Sequence, residues 1–242
     1  MAIKPKSASS MAVDGIVRFI RTNHLHSGDA LPSETELCET LDCSRSSVRE
    51  AMRTLSSLDI VEVRHGHGTY VSGMSLEPLV RGMVLRVMLN VDDSLKDLEH
   101  VVDLRAAFDH ALADELAERW KGQDISPILA VVDKMRAKHV QGVDFAEEDR
   151  EFHRLLLAPI SNPLIKELSD AFWQVHMEVL PLVKLSMPED VQVTLGAHES
   201  MIRALHDGDA TRFSELVDTH YTPLRRSIAR QISAAPESQP TT

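Results

Sequence analysis

Between Ser33 and Leu55 the chain has little freedom of fold. Ser33-Glu34-Thr35-Glu36 is a capping box, in which the Ser33 hydroxyl can accept from the Glu36 amide while the Glu36 side chain returns the bond. It opens a helix that runs through Leu41. Ser44 is a second N-cap, so only Asp42-Cys43 is left for the turn between two helices. In the second helix Val48, Ala51, Met52 and Leu55 recur at helical spacing and make an apolar stripe. Arg45, Arg49 and Arg53, each four residues apart, stack on another face. At about 100° per residue the two stripes stand roughly a quarter to a third of a turn apart. One face can rest on a core while the other meets a polyanion. Two short helices with a tight turn, the second bearing arginines, form a helix-turn-helix pattern. The plainer alternative is a solvated basic face, and the neighbouring segments decide between them.

Those neighbours favour nucleic acid. Met11–Asn23 has apolar residues at 13, 16, 17 and 20 and predicts a preceding helix; His24–Ser33, with Gly28 and Pro32, is a connector. After the arginine helix, two β-prone runs, Ile60–Arg64 and Thr69–Val71, flank His65-Gly66-His67-Gly68. A hairpin in that position is a wing, and Gly66 at its tip has no side chain to clash with a groove wall. Residues 11–72 are therefore expected to form a winged helix-turn-helix domain, after a disordered N-terminus at 1–10.

The rest of the chain is of another kind. Residues 73–78 contain Gly73, Ser75 and Pro78 and predict a linker. From there helical patterns run to about residue 232: Leu79–Leu89, Ser94–Trp120 as one long helix, then about 125–140, 145–158, 163–185, 189–206 and 209–232. Aromatics make up 4% of the chain, so the core must be aliphatic. The expected fold is mainly α: the winged N-terminal domain, then an antiparallel all-α bundle over 79–232, then a disordered tail at 233–242. The net charge is −11, but residues 1–75 carry 8 Lys+Arg against 9 Asp+Glu, so the acidity belongs to the bundle. Phosphate attraction is local, and an acidic second domain does not forbid DNA binding by the first. No apolar run reaches membrane-spanning length and no signal-peptide core opens the chain, so no membrane partner and a cytoplasmic location are the expectation. Cys38 and Cys43, the two cysteines, cannot make a disulfide framework or a four-cysteine zinc site; they are expected to be packing thiols.

Within the bundle, Asp149 and His153 are four apart and leave one helix face, so they can grip one cation. His198 and His220 sit in other amphipathic helices beside Met201 and Ile202, and Leu216 and Val217. One carboxylate and three imidazoles suit a first-row divalent metal: zinc, nickel or manganese. Spacing alone equally allows ordinary hydrogen-bonded core histidines. Arg105, among Leu104, Phe108 and Leu112, either snorkels to the surface or, turned inward, clamps a carboxylate. Trp173 and His176 could line a cavity or pack in the core. Pro223, three residues after His220, removes a helix hydrogen bond and could displace that histidine.

Taken together these segments resemble the GntR family of bacterial transcription regulators, in its FadR-type subfamily. The resemblance rests on Gly28-Asp29-Ala30-Leu31-Pro32-Ser33-Glu34, on Ser44–Ala51 and on Gly66-His67-Gly68-Thr69-Tyr70-Val71. In the bundle it rests on Asp103-Leu104-Arg105, Asp149-Arg150-Glu151-Phe152-His153, Asn162-Pro163, His198 and His220. It implies that Arg45 and Arg49 read guanines in the major groove, with Glu34, Thr35, Ser44, Ser46 and Ser47 around them and His65-Gly66 entering the minor groove. It implies that Asp149, His153, His198 and His220 are the ligands of a divalent metal, zinc first, and that Arg105 holds an effector carboxylate in an all-helical (FCD) domain. Homodimers on palindromic double-stranded operators, answering to small organic acids, follow from the same resemblance. Thr35 departs from it, standing where many relatives have a DNA-contacting arginine.

The expected function is thus a DNA-binding transcriptional regulator, a repressor, controlled by a carboxylic-acid effector at a metal site. It is not expected to be an enzyme. The rivals are a metal-dependent hydrolase with an appended DNA-binding module, and a regulator whose metal is purely structural. Glu199, next to His198, is the nearest spare carboxylate but points elsewhere on a helix.

Overall fold

The computed structural model describes residues 7–90, 93–185 and 190–234. The chain forms two compact units, Met1–Pro78 and Leu79–Thr242. The first is built on helices α1 (Ala8–Thr22), α2 (Glu34–Leu41) and α3 (Arg45–Ser57), followed by strands β1 (Val61–Arg64) and β2 (Gly68–Val71). α1 starts within the stretch expected to be disordered, because Ser7 caps it by accepting from the Ser10 amide; residues 1–6 lie outside the described residues. Both halves of the capping box form at α2: the Glu36 amide donates to Ser33 Oγ, and the Ser33 amide to Glu36 Oε2 at 2.8 Å. Asp42, in the left-handed region at φ 49°, ends α2 and makes room for the Ser44 cap of α3.

The apolar stripe of α3 is buried. Val48, Ala51, Met52 and Leu55 meet Ile16 and Ile20 of α1, Leu37 of α2, and Val61 and Val71 of the hairpin. Cys38 and Cys43 are half-buried against this core. β1 and β2 pair antiparallel, from Val61 opposite Val71 to Arg64 opposite Gly68, and the turn needs Gly66 at φ +77°. The connector before α2 also joins the sheet. Gly28 and Leu31 donate to the carbonyls of Val71 and Thr69, and the Val71 amide donates to Asp29. Only Ala30 forms a bridge, with Tyr70, so the stretch carries no alternation from which a strand could be predicted.

The segment expected to be a linker is hydrogen-bonded. Ser72 Oγ donates to both the carbonyl and the carboxylate of Asp59, and the Ser75 amide donates to Asp59 Oδ2 at 2.8 Å. Ser75 Oγ in turn accepts from the Glu77 amide at the first residue of α4 (Glu77–Leu89).

The second unit is all helical: after α4 come α5 (Ser94–Ala111), α6 (Ala113–Trp120), α7 (Ser126–Val140), α8 (Ala146–Leu156), α9 (Pro163–Leu182), α10 (Val191–Asp207) and α11 (Ala210–Ala234). The long helix expected over 94–120 is two, α5 and α6, which meet at Leu112, at φ −97° and ψ −2°. The ladder still crosses the break, with Leu112 donating to Phe108 and Leu116 to Leu112. Pro223 lies inside α11 without ending it. Ser233 and Ala234, expected in the tail, close α11, and the remaining tail lies outside the described residues. The core is mainly aliphatic, with Leu98, Leu116, Ile128, Met135 and Leu195 among its wholly buried members, and takes in Phe145, Phe152, Trp173, Phe213 and Tyr221. Among the described residues no helix is long and apolar enough to cross a membrane.

Candidate functional site

Three helices bring three imidazoles to one point. α8 supplies His153, α10 His198 and α11 His220, and one nitrogen of each lies within 4.8 Å of the others. The His198 ring is 4.5 Å from that of His220, and His153 is 5.3 Å from His220, so Pro223 leaves His220 in the cluster. All three side chains are buried. His153 Nε2, both nitrogens of His198 and His220 Nδ1 have no hydrogen-bond partner among the described residues. Buried polar atoms without partners are costly, so several converging on one point mark it as a candidate ligand or metal site. Burial pushes the His153 ring down to about 3 and holds His220 well below the ordinary histidine value. Both are therefore neutral at pH 7, the form that offers a lone pair.

Asp149, one turn before His153, approaches two of the three. Its Oδ1 is 3.3 Å from His198 Nε2 and its Oδ2 is 3.9 Å from His153 Nε2. Burial raises its pKa, but His198, His153 and Arg105 outweigh that and hold it well below the usual carboxylate range. Trp173 Nε1 donates to Asp149 Oδ2 at 2.7 Å and fixes the carboxylate's orientation. The donor set, three buried imidazoles beside an ionised carboxylate, fits a divalent first-row metal. Glu199 faces away, paired with Arg136 and Arg203, so it is not placed as a spare base beside the histidines.

Arg105 is turned inward. It is 6% exposed, and its Nη1 lies 2.6 Å from His176 Nδ1. Its guanidinium carbon stands 5.4 Å from the centre of the Tyr221 ring. Burial, then the Arg105 charge, pushes His176 down to about 3, so it accepts from the arginine rather than repelling it. Tyr221 donates to Asp109 Oδ2 at 2.9 Å, and burial raises that carboxyl to about 6. A cavity of about 120 Å³ reaches Arg105, Asp149, His176, His220 and Tyr221 together. Sequence reasoning left His176 and Trp173 between cavity and core, and His176 lines the cavity; it missed Asp109 and Tyr221. Asp109 is one turn after Arg105 on the same helix face, a spacing that could have revealed it.

In the first unit, Arg45, Arg49 and Arg53 are exposed along α3. Arg49 Nε donates to Glu34 Oε2 at 2.8 Å, so the end of α2 holds the arginine in place. At the start of α3, Ser44 Oγ lies 2.9 Å from the hydroxyls of both Ser46 and Ser47 and accepts from the Ser47 amide. Thr35, His65 and Gly66 are exposed. Arg64 packs over the Tyr70 ring at 4.3 Å and pairs with Glu62, which braces the hairpin below its tip.

Comparison with known proteins agrees with this division. Residues 8–71 match the model of bacterial regulatory proteins of the gntR family, and residues 100–222 match the FCD domain. The galactonate operon transcriptional repressor of Escherichia coli (strain K12) is 27% identical over 191 residues, spanning 78% of this chain and 83% of that protein. The HTH-type transcriptional repressor NanR of Cronobacter sakazakii is 24% identical over 219 residues, spanning 89% of this chain and 83% of that one. Among solved structures, Streptococcus agalactiae GntR superposes with a TM-score of 0.65 at 25% identity, covering 90% of this chain and 99% of its own. A winged helix-turn-helix unit joined to an FCD helical unit, with relatives that are transcription regulators, places this chain in the GntR family of bacterial transcription regulators.

Proposed function

We propose that this regulator is a homodimeric repressor whose operator affinity is set by a small carboxylic acid bound beside a divalent metal, zinc first. Asp149, His153, His198 and His220 would hold the metal. When bound, it would offer open coordination positions and positive charge to the acid's oxygens. Arg105 would take the carboxylate as a fork, with His176 keeping its guanidinium in place. The observation that carries this reading is the set of buried histidine nitrogens without partners, whose member His220, with Asp149, lines the same cavity as Arg105. The repressor assignment draws on the names of the two relatives above.

On the DNA side, Arg45 and Arg49 would meet base edges in the major groove, with the Ser44, Ser46 and Ser47 hydroxyls on phosphate. Glu34 and Thr35 would stand at the groove's edge, and His65-Gly66 would enter the minor groove. For the acid to act, it must prefer one arrangement of the protein; a coupling of about 1–3 kcal/mol changes operator affinity roughly 5- to 150-fold. The deciding experiment is elemental analysis of full-length protein and its His198→Ala variant after zinc reconstitution and desalting. About one zinc per chain, lost in the variant, is the expected result. A wild-type protein that retains no divalent metal would overturn the reading.

A further inference from the structure

We propose that the acid sensed by this protein is a monocarboxylate with a compact apolar body, rather than a polyhydroxylated sugar acid or a diacid. The proposal rests on the reading above, that an acid enters the cavity at Arg105, and adds the chemistry of the rest of the molecule.

The cavity is layered. Its polar groups form one connected floor: Arg105 touches His176, Tyr221 lies beside Arg105, and His220 lies against Tyr221 with ring centres 4.6 Å apart. One helical turn away, about 5.4 Å, the lining turns apolar along α9 and α11. On α9, His176 is followed by Leu180. On α11, His220 and Tyr221 are followed by Leu224. On α10, which leads toward the floor, Val191 is a turn before Thr194 and two turns before His198. At the start of α8, Phe145 is a turn before Asp149. Leu180 and Leu224 are only half-buried although they line the cavity, so part of their apolar surface is left uncovered by the fold.

A ligand whose carboxylate lies on the floor must put the rest of itself against these apolar walls. Hydroxyls there would leave water and find Thr194 as almost the only partner, an uncompensated loss for a sugar acid. A second carboxylate would be carried among leucines, toward exposed Asp144 at the rim. The volume, about 120 Å³, sets the size. An apolar cavity of about 150 Å³ admits benzene, and this smaller one must also take the carboxylate, so the body is an alkyl chain of about four carbons at most.

The test is titration calorimetry on full-length, zinc-reconstituted protein. The probes are lactate, 2-hydroxybutanoate, 2-hydroxypentanoate and 2-hydroxyhexanoate, compared with gluconate and 2-hydroxyglutarate. Each added methylene should tighten binding about fourfold until the cavity is full. Gluconate, with hydroxyls on the same carbon skeleton, should bind at least about tenfold more weakly than 2-hydroxyhexanoate. Leu180→Asn, with zinc content unchanged, should flatten the chain-length dependence. If gluconate binds as tightly as 2-hydroxyhexanoate, or affinity does not change along the series, the proposal fails while zinc-dependent lactate binding keeps the broader reading. If no acid binds the zinc-loaded protein, both fall.

Discussion

Arg49 is exposed yet held, because Glu34 accepts its Nε proton across the helix-turn-helix. An exposed pair of this kind contributes little to stability, so Arg49→Ala should leave the melting temperature nearly unchanged. Operator binding at fixed salt should fall about ten- to hundredfold, the loss of one bidentate base contact. A gel-shift titration with unchanged operator affinity would remove Arg49 from the interface. In the bundle, His153→Ala should lower zinc content measured by elemental analysis, while Glu199→Ala should not, because Glu199 is engaged with Arg136 and Arg203. Equal metal loss in the two variants would show that the effect comes from a loosened fold. The difference between what was legible and what was not follows from sequence distance. Asp149 and His153 share one helix face and could be paired from spacing alone. His198 and His220 were plausible only as inward residues of other helices, and packing alone brings them within reach. The donation from Trp173 to Asp149 spans two helices and left no local trace.

Helix boundaries were most legible where a side chain carries the signal. The Ser33–Glu36 box and the Ser44 cap are formed by the residues that predicted them. They were least legible where backbone geometry alone decides. Nothing in the composition around Leu112 marks the break between α5 and α6, and Gly28–Leu31 pairs with β2 through main-chain atoms. α10 contains one glycine and is capped by another, and the two should respond oppositely to the same substitution. Gly208 caps the helix at φ +77°, and an added Cβ would lie 3.0 Å from the Lys121 side chain. Gly208→Ala should cost about 1–2 kcal/mol and lower the melting temperature by roughly 3–6 °C. Gly196 sits within the helix with open space where a Cβ would go, so Gly196→Ala should stabilise by about 0.5–1 kcal/mol. Thermal denaturation of the pair checks both signs; a destabilised Gly196→Ala would mean that this face is occupied.

At the scale of the whole molecule, a metal held by buried side chains from three helices would be linked to the fold. A ligand at a hundredfold excess over its dissociation constant adds about 2.7 kcal/mol to native stability, so chelation should lower the melting temperature by roughly 5–10 °C. A thermal-shift comparison with and without chelator checks this, and identical curves would mean that the buried histidines have no such occupant. The two-unit plan was legible because charge and pattern change together near residue 75, where a balanced winged segment gives way to an acidic helical one. The hydrogen bonding of residues 72–77 was not. Gly73, Ser75 and Pro78 look like a loose tether, yet Asp59 holds Ser72 and Ser75, and Ser75 meets the first amide of α4. The backbone from Ser72 to Glu77 is therefore fastened by the side-chain oxygens of Asp59, Ser72 and Ser75. A stretch whose residue types suggest slack uses its polar groups to tie down its own main chain, with Asp59 as the anchor.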